Sequence, residues 1–263
     1  MNKKIKEILK KKNKSKIVCL TAYSKSIAKI LDKFVDVVLV GDSMANVLYG
    51  QKNTHRISLE NIIQHATSVR MGIKKSLLVV DMPKGSYKSK NLANKNAKKI
   101  IKKTNCDAVK IESNKKNFKI IEHLVKKNIP VMGHIGFTPQ FNKKFKIEGQ
   151  TIKEINKLLN EAKLIEEAGA FSIVLECLSP NAAKLITNKL KIPTIGIGSS
   201  LFCDGQILVT DDMLGISGFY PKFVKKYANL ERIIEKAVTK YGREVKLKKF
   251  PKSNNFLYGT KHR

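Results

Sequence analysis

Eight short apolar runs, separated by helical patterns, constrain this chain more than any other feature of its sequence. They cover residues 17–20, 35–40, 77–80, 108–111, 131–133, 172–175, 194–197 and 206–209. Several are rich in Val and Ile and lack polar alternation, which suits strands covered on both faces. Helical periodicity fills residues 24–33, 59–71, 92–103, 117–127, 152–168 and 181–189, with a last stretch near 230–241. The punctuation agrees: Ser58 is placed to cap the helix beginning at Leu59, Gly169 stands where a helix-ending glycine belongs, and Pro130 and Pro193 each precede a run. Strand–helix alternation of this kind over ~250 residues predicts an α/β fold, a (β/α)8 barrel of the TIM type. A doubly wound open sheet is the second choice. No composition shift or flexible linker interrupts the chain, so residues 1–263 read as one domain. A short amphipathic helix is expected within 1–14, where Ile5, Ile8 and Leu9 share a face, and an irregular C-terminal extension over 246–263.

Composition narrows the function classes. A hydrophobic fraction of 42% supports a large core and excludes wholesale disorder. No apolar run approaches the ~20 residues of a membrane span, and the N-terminus lacks the apolar segment of a secretory signal. Cys19, Cys106, Cys177 and Cys203 are scattered without a CxxC pair, which argues against a disulfide framework and fits a reducing, cytoplasmic setting. Lys and Arg number 52 against 21 Asp and Glu, a net charge of +31 that raises a nucleic-acid-binding function. Only five of the 52 are arginine, the residue that base and phosphate recognition favours. The lysines spread along the whole chain, with clusters at 10–12 and 98–103 on apparent helix faces. With Asn and Ile also abundant, this reads as compositional drift on a solvated surface that also favours anionic substrates. Neither a nucleic-acid nor a membrane partner is expected.

The chemistry lies in the residues at the end of each run, because a barrel places its active site at the C-terminal ends of its strands. Run 35–40 leads into Gly41-Asp42-Ser43 and run 77–80 into Asp81. Run 108–111 contains Lys110 and leads into Glu112, run 131–133 into His134, and run 172–175 into Glu176. One Asp at a strand end is ordinarily a turn or a helix cap. Four carboxylates on one rim would repel one another and titrate upward, which a divalent cation relieves. Asp42, Asp81 and Glu112 offer oxygen ligands only, favouring Mg²⁺ over zinc. A hard cation with open positions suits a chelating 2-oxo acid, whose polarised carbonyl makes the adjacent C–H acidic. Glu176 is then available as the base. Lys110 would pair with a substrate carboxylate or neutralise the acids. Residue types alone therefore reach metal-assisted enolate chemistry on an oxo acid.

Eight segments sharpen this reading: TAY (21–23), VLVGDS (38–43), HATSVR (65–70), VKIE (109–112), GHIGFTPQ (133–140), LEC (175–177), IGIG (195–198) and DGQILV (204–209). In this order the chain resembles the ketopantoate hydroxymethyltransferase family from about residue 16 to about residue 241. The resemblance implies a barrel enzyme that uses Mg²⁺ and moves a hydroxymethyl group from 5,10-methylenetetrahydrofolate to 3-methyl-2-oxobutanoate. The product would be 2-dehydropantoate, in the first committed step of pantothenate synthesis, and the enzyme a homo-oligomer, often a decamer. Motif by motif, Asp42 and Asp81 would ligand the metal, with Glu112 completing its shell directly or through water. The oxo acid would lie against these aspartates, held by Ser43 and Lys110, with His134 near metal and substrate and Glu176 taking the C3 proton. The VGDS stretch is shared with the phosphoenolpyruvate mutase/isocitrate lyase superfamily, whose lyases and mutases are the competing reading. Those enzymes tend to carry a catalytic Cys or Lys in the loop after a central strand, and residues 136–140 contain no cysteine. A basic binding protein on a barrel scaffold is the third reading, and it predicts lost rim carboxylates, whereas all four are present.

The chain departs from the family pattern in places. Ser24 replaces an Asp, and Ser199 and Ser200 replace the small residues that end the GIG turn; a positive φ at its last position would strain Ser200. The lysine-rich loop after Gln140, residues 142–146, is short, which bears on folate binding and lid closure. His55, His65, His123 and His262 read as surface or packing residues, and Cys177 as core.

Overall fold

Apolar residues at consecutive strand positions need cover on both faces, and a barrel ringed by helices supplies it. The computed structural model describes residues 2–113, 117–142, 145–218, 220–252 and 255. In chain order its first half comprises α1 (Lys3–Lys10), β1 (Ile17–Thr21), α2 (Lys25–Leu31), β2 (Val37–Val40), α3 (Met44–Val47), α4 (Leu59–Arg70), β3 (Leu77–Asp81), α5 (Lys90–Thr104) and β4 (Ala108–Glu112). The second half comprises α6 (Phe118–Lys126), β5 (Val131–Gly136), α7 (Ile152–Glu167), β6 (Ser172–Glu176), α8 (Pro180–Lys189), β7 (Thr194–Ile197), β8 (Gly205–Leu208), α9 (Thr210–Leu214) and α10 (Leu230–Lys246). The strands pair in sequence order and in parallel, and β8 closes on β1. The fold is the expected (β/α)8 barrel.

Side-chain parity divides the core in two. Val37, Leu39, Leu77, Val79, Ala108, Met132, Val174 and Ile195 pack together as the barrel lumen. Their strand neighbours Val38, Val40, Leu78, Val80, Val109, Ile111, Ile173 and Leu175 pack outward against the helices. Helix α1 belongs to the first group: Ile5 and Ile8 are buried on the lumen cluster. Lys4 Nζ donates to the Ser76 carbonyl at 2.8 Å and Lys12 Nζ to Asp204 at 2.8 Å, tying this region to the starts of β3 and β8. Continuing the lumen parity to the other end of the strands reaches Asp81, Lys110, Glu112, His134 and Glu176. The register places Asp81 beside Lys110, Glu112 beside His134, and Gly136 beside Glu176.

Local signals act as expected where they are strong. Ser58 and Asn61 form a reciprocal capping box on α4. Gly169 follows α7 with φ +89. Other features differ. Strand β5 continues to Gly136, so His134 lies within the strand. Helices α3 and α9 are too short to register as periodicity. Helix α10 runs to Lys246, so the 246–263 extension begins on its last residue, and 253–254 and 256–263 lie outside the described residues. The strain expected at Ser200 is absent: the left-handed residue of that turn is Gly198, with φ +56. A Cβ on Gly198 would come within 2.6 Å of the Phe223 ring, which seats there. Among the described residues no helix is long and apolar enough to cross a membrane. All four cysteines are free and buried.

Candidate active site

The C-terminal mouth of the barrel holds a cavity of about 520 Å³, lined by Asp42, Ser43, Asp81, Lys110, Glu112, His134 and Glu176. The structure thus brings the seven candidate site residues to one cavity. The Asp42 backbone N–H donates to Asp81 Oδ2 at 2.9 Å, and Lys110 Nζ donates to Asp81 Oδ1 at 2.8 Å. On the other side His134 stands between two carboxylates, Nδ1 at 3.7 Å from Glu112 Oε1 and Nε2 at 3.2 Å from Glu176 Oε2. Neither ring nitrogen makes a well-formed hydrogen bond. Ser43 Oγ lies 2.8 Å from the Tyr23 hydroxyl.

Buried Lys110, set among the four strand-end carboxylates, shapes the electrostatics; exposed Lys52 and the carboxyl of Asp212 also line the cavity. Burial, then the charge of Asp81, pushes the Asp42 carboxyl up to about 7. Burial and the Asp42 charge hold Glu112 well above the usual carboxylate range. Glu176 is pushed up to about 8 by burial, with Lys110 opposing and Asp81 adding to the rise. Burial works against the Lys110 charge, but Asp81, Glu112 and Asp42 together outweigh it and keep the ammonium protonated. His134 is held neutral by burial and by Lys110.

Buried carboxyls that are hard to ionise without a counter-charge fit a hard divalent cation, and the donor set is all oxygen. Among the described residues no group of three His, Cys, Asp or Glu side chains is clustered tightly enough to hold a metal ion as the side chains stand. Here Lys110 and Gln140 take carboxylate oxygens instead: Gln140 Nε2 donates to Asp42 Oδ2 and its backbone N–H to Glu112 Oε2, each at 2.9 Å.

Several supporting residues were not singled out in the sequence. Gln140 lies in the GHIGFTPQ stretch, but its partners are 28 and 98 residues away along the chain, a separation no local pattern reveals. Tyr23 and Tyr87 are invisible for the same reason. His55 and His65 have packing roles: His55 Nε2 lies 3.0 Å from the Pro139 carbonyl and His65 Nδ1 2.7 Å from that of Tyr23. Cys177 is buried, as expected, but adopts φ +55 directly after Glu176, a conformation uncommon outside glycine. Lys143 and Lys144 of the lysine-rich loop lie outside the described residues. Phe145 of that loop sits between Phe137 and Phe223, with ring centroids 5.0 and 6.0 Å away, and all three line the cavity.

An acid-lined cavity on the strand-end rim of a closed parallel barrel is where enzymes of this architecture do their chemistry, and the chain is a (β/α)8 barrel enzyme. The model of the ketopantoate hydroxymethyltransferase family matches residues 2–253. The chain is 53% identical over 251 residues to a 3-methyl-2-oxobutanoate hydroxymethyltransferase of Pelagibacter ubique (strain HTCC1062), covering 95% of this chain and 98% of that relative. It is 48% identical over 248 residues to the enzyme of the same name from Anaplasma marginale (strain St. Maries), covering 93% and 90%. The chain belongs to the ketopantoate hydroxymethyltransferase family. Among solved structures it shares its fold with a phosphoenolpyruvate phosphomutase from Streptomyces platensis subsp. rosaceus (TM-score 0.62, 12% identity, covering 92% and 86% of the two chains). A 2,3-dimethylmalate lyase of the PEP mutase/isocitrate lyase superfamily is similar in the same way (TM-score 0.61, 13% identity, covering 92% and 88%).

Proposed function

We propose that this enzyme transfers a hydroxymethyl group to 3-methyl-2-oxobutanoate, forming 2-dehydropantoate, with 5,10-methylenetetrahydrofolate as donor and Mg²⁺ as the metal. Membership of the family carries the activity. The observation that carries the residue roles is the meeting of four carboxylates, Lys110 and His134 on one cavity at the strand-end rim.

Asp42 and Asp81 would hold the cation, with Glu112 completing its shell directly or through water. When bound, Mg²⁺ would supply Lewis-acid polarisation of the oxo group beside C3. Lys110 and Ser43 bind the oxo acid, the ammonium and the hydroxyl donating to its oxygens. Glu176 takes the C3 proton: it shares the lumen parity of the other acids but lies outside the proposed metal set, and a carboxyl near 8 is basic enough to do so. His134, kept neutral, lies beside that carboxylate and near the substrate. Phe137, Phe145 and Phe223 give the mouth an apolar lining. The assay is 2-dehydropantoate formation from 3-methyl-2-oxobutanoate and methylenetetrahydrofolate, with and without Mg²⁺. Turnover that needs all three is expected; no product with all three present would overturn the reading.

The working form is proposed to be a cytoplasmic homo-oligomer. Helix α10 buries none of its residues and exposes Ile233, Ile234, Val238, Tyr241 and Val245, while Val18 on the outer face of β1 is also exposed. Apolar faces left open on both barrel wall and last helix suit contact with a second copy of the chain.

A further inference from the structure

Gln140 is 1% exposed at the turn after β5. Its amide nitrogen donates to Asp42 Oδ2 at 2.9 Å and to the Met82 carbonyl at 3.0 Å. Its amide oxygen accepts from the Tyr87 hydroxyl at 2.5 Å, and its backbone N–H donates to Glu112 Oε2 at 2.9 Å. The partners dictate which way the amide points. A carboxylate and a carbonyl only accept, so they face the NH₂, and Tyr87 must be the donor to the remaining oxygen. Burial, then the charges of Glu112, Asp42 and Asp81, keep the Tyr87 hydroxyl protonated and able to donate. One side chain and its backbone, on the turn after β5, thereby join the segments that follow β2 and β3 to the last residue of β4. A primary amide buried among carboxylates costs stability unless each polar group is bonded, and here both N–H groups and the oxygen are.

We propose that Gln140, oriented by Tyr87, is a positioning residue for the cation site, holding Asp42 and Glu112 where they meet a divalent cation. The inference rests on the reading of these carboxylates as the metal site. Hydrogen-bond partners of ligating groups fix their orientation, and losing one typically lowers metal affinity ~10–100-fold.

The test uses the full chain and Mn²⁺ alone, without substrate, with free Mn²⁺ followed by electron paramagnetic resonance. Gln140→Met keeps the volume and removes the hydrogen bonds of the side chain. It should bind Mn²⁺ ~10–100-fold more weakly while keeping its circular dichroism spectrum and a cooperative melt. Tyr87→Phe should weaken binding several-fold, and the double variant should bind no more weakly than Gln140→Met, because Tyr87 acts through Gln140. A purely structural brace would lower the melting temperature of each variant and leave Mn²⁺ affinity unchanged. Wild-type affinity in Gln140→Met, with binding lost in Asp81→Asn, overturns the proposal and leaves the metal reading standing. Failure of the wild type to bind Mn²⁺ overturns both. Should Gln140→Met not fold, Tyr87→Phe decides, and unchanged affinity there overturns the proposal.

Discussion

At the scale of single residues, Glu176 owes its proposed role to parity and burial. It ends β6 on the lumen side, and burial pushes its carboxyl up to about 8. Proton removal from C3 can be followed without folate, as deuterium uptake into 3-methyl-2-oxobutanoate in the presence of Mg²⁺. The ionised carboxylate is the base, so exchange should rise with pH and level off once the carboxyl has ionised, below the value of about 8 that burial gives it without a cation, because bound Mg²⁺ favours the carboxylate. Glu176→Gln keeps the shape and removes the basicity; exchange should fall ~10²–10⁴-fold with oxo-acid binding retained. Exchange at the wild-type rate in this variant would move the base to His134, whose Nε2 is 3.2 Å from Glu176 Oε2. The carboxylates, Lys110 and His134 were legible in the sequence because each ends or adjoins an apolar run. Gln140, Tyr87 and Tyr23 were not, because their roles exist only across the barrel mouth.

At the scale of elements, the junction of β5 and β6 is tight. Gly136 ends β5 with φ +90, and a Cβ there would lie 2.1 Å from the Glu176 carbonyl oxygen and 2.2 Å from Leu178 Cδ1. Gly136→Ala therefore combines left-handed strain with a backbone clash, and should cost more than ~2 kcal/mol in denaturant unfolding. Gly50 makes the contrast: it has φ +60 and nothing within 4 Å of the place a methyl group would take, so Gly50→Ala should cost only the ~1–2 kcal/mol of the backbone term. Equal losses at the two glycines would mean that the β5–β6 junction relaxes freely. The major helices and all eight strands were legible because each is long or apolar enough to show its period. Strand ends were less so: His134 falls inside β5, since hydrogen bonding to β4 and β6 carries the strand past its apolar run.

At the scale of the whole molecule, the buried acids couple stability to pH. Asp42 rises from 3.8 to about 7 and Glu176 from 4.5 to about 8 on folding. Both bind protons more tightly in the folded state, so their stabilisation is complete below their unfolded pKa values and is lost as pH rises through 7–8. The cation-free protein should melt at falling temperature between about pH 5 and 8, by the equivalent of a few kcal/mol. Mg²⁺ should restore more of the loss at pH 8 than at pH 5, because it binds the ionised carboxylates. Scanning calorimetry checks both, and a melting temperature indifferent to pH and Mg²⁺ would count against a buried acid cluster. Assembly is tested by light scattering: the wild type should exceed the mass of one chain, and Ile234→Glu with Val238→Glu should lower it. A wild-type monomer would sink the oligomer proposal.

The sequence by itself determined the barrel, because eight short apolar strands and their capped helices follow from local patterns of apolar residues, glycine and proline. It also determined which polar residues reach the rim, since each ends, adjoins or, for Lys110, interrupts its run. Tertiary structure decided how those residues meet. Closure of the barrel sets Asp81 beside Lys110 and Glu112 beside His134. The turn after β5 brings Gln140 across to Asp42, and Gly198 rather than Ser200 takes the left-handed position, because the Phe223 ring occupies the space a side chain would need. These are contacts between distant segments. Their geometry depends on strand register and on which groups burial leaves without water, and neither is written in the local order of residues.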